Sequence, residues 1–101
     1  MSNYEQLSKS IINSKGLIQK LYNRKQQRVG TLVAHKFNDE HFSIGYSLCN
    51  PNDRFDRYRS LQIAFDRALK DVQYNYPHSI KNDVEKFIDR AERYYKTTYE
   101  G

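Results

Sequence analysis

The chain has 101 residues, 38% of them hydrophobic, with 17 Lys and Arg against 12 Asp and Glu for a net charge of +5. This length makes a single domain, residues 1–101, because cores do not divide in chains so short, and no run approaches the ~20 apolar residues that span a bilayer. The start, Met1-Ser2-Asn3-Tyr4-Glu5, does not read as a secretory signal and Cys49 has no second cysteine to pair with, so a reducing, cytoplasmic location without membrane association is expected.

Ser2 followed by Glu5 has the form of a capping box and predicts a helix start. Leu7, Ile11, Leu17, Ile18, Leu21 and Tyr22 recur at helical spacing, with Lys9, Asn13, Lys20, Arg24 and Gln27 opposite them, so one amphipathic helix with a basic outer face is expected to about residue 27. Gly16 inside this pattern predicts a kink, or two shorter helices meeting near Ser14. The positive charge is concentrated here. Lys9, Lys15, Lys20, Arg24, Lys25, Arg28 and Lys36 face only Glu5 within residues 1–37, whereas ten basic and eleven acidic residues nearly balance beyond them. A concentrated positive field attracts phosphates, and nucleic acid is the commonest partner of that kind. A solvated lysine-rich face is the plainer reading of the same charges.

From Arg28 the period becomes two. Residues 29–37 and 42–49 predict two strands joined by the polar loop Asn38-Asp39-Glu40-His41. Pairing Phe37 with Phe42 places Val33, His35, Ile44 and Tyr46 on a bulky face. Ala34 and Gly45 then lie on a small opposite face that another backbone can approach, so pairing with a second copy through the hairpin is one expectation. Asn50-Pro51-Asn52-Asp53 predicts a turn. Tyr58, Leu61, Ala64, Phe65, Ala68 and Val72 return to helical spacing, from Asp53 or from Ser60 as cap, and Pro77 stops that helix. Ser79 is the expected cap of a last helix with Ile80, Val84, Phe87, Ile88, Ala91, Tyr94 and Tyr95 on its apolar stripe, to roughly Thr97. The expected fold class is α+β: an N-terminal amphipathic helix, a two-stranded antiparallel hairpin and two C-terminal helices packed on one hairpin face.

Little points to catalysis. His35, His41 and His78 lie apart and Cys49 is alone, so neither a metal site nor another cofactor is expected. Gly45-Tyr46-Ser47 lacks the rest of a nucleophile elbow, and no Gly-rich phosphate loop occurs. No pair of groups has a spacing that a reaction particularly requires, and an enzyme is not expected. The more informative stretch is Asn52-Asp53-Arg54-Phe55-Asp56-Arg57-Tyr58-Arg59, where arginines alternate with aromatic and acidic residues. Arg forks onto phosphate and aromatic rings stack on bases, which fits a nucleotide or single-strand site around Arg54, Arg57 and Tyr58. A helix start with surface ion pairs, core-facing Phe55 and Tyr58, and snorkelling arginines is the structural alternative. Tyr94, Tyr95 and Tyr99 read as core or interface.

Ile44-Gly45-Tyr46-Ser47-Leu48-Cys49-Asn50-Pro51-Asn52-Asp53-Arg54-Phe55, then Ile63-Ala64-Phe65-Asp66-Arg67-Ala68, and later Pro77-His78-Ser79-Ile80 with Phe87-Ile88-Asp89-Arg90-Ala91 resemble small accessory proteins of tailed bacteriophages. The resemblance, over residues 44–91, implies a host- or defence-directed binding protein in the bacterial cytoplasm and supplies no functional residues. Two functions follow as expectations. In the first, Lys9, Lys20, Arg24, Lys25 and Arg28 form a basic face that binds nucleic acid or a nucleic-acid-containing host complex. In the second, an oligomeric inhibitor sequesters a nucleotide messenger or a host protein, with Arg54, Arg57 and Tyr58 nearest the ligand.

Overall fold

A computed structural model describes residues 3–50, 52–72 and 74–99. Helix α1 (Asn3–Asn13) is followed by strands β1 (Leu17–Tyr22), β2 (Arg28–Asn38) and β3 (His41–Leu48), then by helix α2 (Arg57–Leu69), a 3-10 turn (His78–Ile80) and helix α3 (Lys81–Tyr95). The strands form one antiparallel sheet in the order β1-β2-β3. The α+β class stands, but the expected two-stranded hairpin is a three-stranded sheet. The expected long helix ends at Asn13, and Lys20 lies on a strand. Of the capping box, Ser2 lies outside the described residues. No helix among the described residues is long and apolar enough to cross a membrane.

The break falls near Ser14 as expected, but a strand follows it where a kink or a second short helix was expected. The Gly16 N–H donates to Ile11 O at 2.8 Å, and Lys15 adopts a left-handed φ of 65°. There is no room for a side chain at Gly16, because a Cβ would sit 2.8 Å from Ile11 O and 3.1 Å from Ala34 O. Beyond it the chain reverses and pairs with β2, Leu17 opposite Ala34 through Leu21 opposite Gly30.

The hairpin register differs by one residue from the expected one. Lys36 pairs with Phe42, Ala34 with Ile44, Val33 with Gly45 and Leu32 with Tyr46, and only Asp39 and Glu40 form the turn. Because strand side chains alternate, this slip exchanges the faces. Val33, His35, Ser43 and Gly45 face one way; Leu32, Ala34, Phe42, Ile44 and Tyr46 face the other.

Both faces are covered, in place of the expected one. Leu17, Leu21, Leu32, Ala34, Phe42 and Ile44 pack with Ile80, Val84, Phe87, Ala91 and Tyr95 from the α3 side. Val33 packs with Ile11 of α1 and with Leu61, Ala64 and Ala68 of α2 on the other side. The small hairpin face is therefore not an exposed surface. Ala34 is fully buried beneath α3, and Gly45 lies under the α2 backbone at Ala64 and Ala68. Ser43 donates its hydroxyl to Ala68 O in the same contact.

Both sheet edges are tied to other elements. Along β3, Arg67 donates to Tyr46 O at 2.8 Å and the Tyr76 hydroxyl reaches Ile44 O at 3.5 Å, so outward carbonyls of that edge are engaged. Arg67 is itself held over the rings of Tyr46 and Tyr74 at 4.7 and 5.8 Å. At β1, Arg90 donates to Ile18 O at 3.5 Å and to Gln19 Oε1 at 3.1 Å. The last helix begins after the 3-10 turn without the expected Ser79 cap and ends at Lys96, whose φ of 57° terminates it. Tyr95 is core and Tyr99 stacks on Phe42, while Tyr94 is exposed.

Candidate nucleic-acid interface

Antiparallel pairing brings the β1–β2 turn and the end of β3 to one end of the sheet. The start of α2 joins them there: Arg28 donates to Thr31 Oγ1 at 3.0 Å, and the Thr31 and Ser60 hydroxyls share a buried 2.9 Å hydrogen bond. The loop after β3 is tied to the same place by the Cys49 N–H, which donates to Val29 O at 2.7 Å. Most of the residues expected to bind an anion lie on these segments.

Asn23 organises the β1–β2 turn. Its carboxamide oxygen accepts the Lys25 and Gln27 N–H groups at 2.9 and 3.0 Å, and its amide donates to Gln27 Oε1 at 3.0 Å. Asn suits this role because its short side chain mimics a backbone turn. Arg24 and Lys25 are thereby exposed on an ordered loop. Lys20 pairs with Thr31 and so projects on the side of the sheet that α2 covers, where it is exposed. Arg28 lies on that side as well, donating to Gly30 O at 3.1 Å with its guanidinium 5.1 Å from the Phe55 ring. Arg57 lies 4.4 Å over the Tyr4 ring of α1.

Helix α2 starts neither at Asp53 nor at Ser60 but after Asp56, whose carboxylate accepts the Tyr58 and Arg59 N–H groups at 3.0 and 3.2 Å. A carboxylate there satisfies free amides and favours the helix dipole. The helix start is thus occupied by the protein's own anion. The surface ion pairs expected among Asp53, Arg54, Asp56 and Arg57 do not form: among the described residues Lys36 pairs with Asp39, and His41 is hydrogen-bonded to Asp71. The latter closes the far end of the sheet, His41 Nε2 meeting both Asp71 oxygens at 2.7 and 2.8 Å. Phe55 and Tyr58 are half-buried rather than core.

Of the expected basic face, Lys20, Arg24, Lys25 and Arg28 remain neighbours at this end of the sheet, now joined by Arg54 and Arg57. Lys9 lies on the outer side of α1 with Gln6, Ser10 and Asn13, on a different element. Beside the basic corner, the end of β3, the loop after it and α2 enclose a cleft of about 550 Å³, lined among others by Leu48, Cys49, Asp53, Arg54, Phe55 and Arg59. The Cys49 thiol lies 3.4 Å from Asn50 O and Asp53 O, which holds the loop against its own turn. Arg59 was not among the expected site residues. The signal that finds it is the cap: counted from Asp56, residues 59, 60 and 63 fall on the helix side that faces the cleft.

His35 faces the α2 side, edge-on to Phe37 at 4.6 Å and to Phe65 at 6.1 Å, and its Nδ1 is buried without a partner among the described residues. Burial lowers its pKa from the ordinary 6.5, since the charged ring loses hydration. The unfolded chain therefore binds a proton that the folded one resists, and stability falls as pH drops below about 6.5. His35→Phe is expected to flatten the dependence of the urea midpoint on pH between about 7 and 5; an unchanged slope would remove His35 as its source.

No family model, curated protein or solved structure matches this chain.

Proposed function

We propose that the protein is a non-enzymatic nucleic-acid-binding protein that contacts the sugar-phosphate backbone with Lys20, Arg24, Lys25, Arg28, Arg54 and Arg57, acting in the cytoplasm on a host or defence complex that contains nucleic acid. The observation that carries this reading is the assembly of these cations at one end of the sheet with no carboxylate within 4 Å of any of them among the described residues. Cations left without carboxylate partners among the described residues keep their charge available for phosphate, and neutralising phosphate releases condensed counterions. The host-directed part of the reading rests on the expected resemblance of residues 44–91 to small accessory proteins of tailed bacteriophages.

Amide chemical shifts followed during titration with a short mixed-sequence DNA duplex and with its separated strands test the placement. The expected changes fall on residues 20–28 and 53–59. Changes confined to the outer side of α3, around Lys81, Glu85 and Lys86, or none at saturating concentration, would overturn it.

A further inference from the structure

The cleft between the end of β3 and the start of α2 has the size and chemistry of a ligand site distinct from the exposed turn. Its volume of about 550 Å³ lies in the range that encloses small molecules. Arg54 and Arg59 line it, and neither has a carboxylate partner among the described residues although Asp53 and Asp56 line it too. Asp56 is engaged in capping α2, and the wall carries two guanidinium groups without an ion pair among the described residues. Phe55 lines the same wall, its ring covered from one side by Arg28, and Leu48 and Ile63 add apolar surface. Guanidinium forks match phosphate oxygens, and an aromatic ring accepts any base by stacking.

We infer that this cleft takes one unpaired nucleotide of a single strand, its phosphate on Arg54 and Arg59 and its base against Phe55. The inference rests on the nucleic-acid reading and narrows it to single-stranded substrates. A duplex keeps its bases stacked inside and offers the cleft phosphate alone. A single strand offers both.

Fluorescence anisotropy with a labelled single-stranded DNA and the blunt duplex of the same sequence tests this on the full chain, on Arg59→Ala and, separately, on Phe55→Leu, which keeps the wall apolar but removes the stacking face. The unaltered protein is expected to bind the single strand about tenfold more tightly than the duplex, the margin one stacked base supplies. Phe55→Leu is expected to lose most of that margin and leave duplex affinity unchanged, whereas Arg59→Ala, which removes a phosphate contact open to both DNAs, is expected to weaken both. Equal affinity for both DNAs in all three proteins overturns the inference and leaves the basic corner standing. A single-strand preference that Phe55→Leu does not change, or a single-strand affinity that Arg59→Ala does not change, also overturns it, placing the contact elsewhere. Binding of neither DNA overturns the nucleic-acid reading, and the inference falls with it.

Discussion

Gly45→Val is expected to destabilise the fold by about 3 kcal/mol or more, the upper part of the range for overpacked cores. Gly45 has no left-handed φ, so its backbone conformation does not require glycine; space does. A Cβ at this position would run into the α2 backbone at Ala64 O and Ala68 N and approach Arg67 C at 3.0 Å. Those atoms belong to a helix whose Ala64 and Ala68 are themselves fully buried, so the only relief is to lift α2 from the sheet. The β-branched side chain gains up to ~1 kcal/mol from strand preference, which the clash outweighs. A domain of this size has roughly 5–15 kcal/mol of total stability, and the urea midpoint should fall accordingly. A midpoint equal to that of the unaltered protein would mean that α2 is not seated on β3.

Lys20→Glu combined with Arg24→Glu is expected to weaken nucleic-acid binding by about 100-fold near 0.1 M salt. Each phosphate contact contributes close to one power of the salt concentration through counterion release, so two lost contacts account for most of the factor and two new negative charges for the rest. The fold should not respond. Both side chains are exposed and neither takes part in an ion pair among the described residues, which limits the stability change to about 0.5 kcal/mol. The turn geometry depends on Asn23, not on Arg24.

The hairpin strands, the two later helices and the turn after β3 are legible in the sequence because period and punctuation agree there. β1 is not, for a geometric reason: residues four apart share a face in a strand as well as in a helix. Leu17 and Leu21 are both buried against α3, while Ile18 packs on the opposite side with α1. A strand covered on both faces therefore shows no clean alternation. The same burial hid the register. Val33 and Ala34 are adjacent, on opposite faces, and both fully buried, so hydrophobicity alone does not choose between the two alignments; the two-residue turn and the irregularity between Lys36 and Asn38 do. The density of Arg and aromatic residues in segment 52–59 was visible in composition. The joining of that segment with Arg28 was not, because that contact crosses from β2 to the loop before α2.

The dependence of affinity on salt is the most direct test of the claim that phosphate is held at the basic corner. With five or six cations in contact, the slope of log affinity against log salt for a duplex should be about −5, and about two units shallower for the Lys20→Glu and Arg24→Glu double variant. An affinity that does not change with salt, or the same slope in both proteins, would contradict the account.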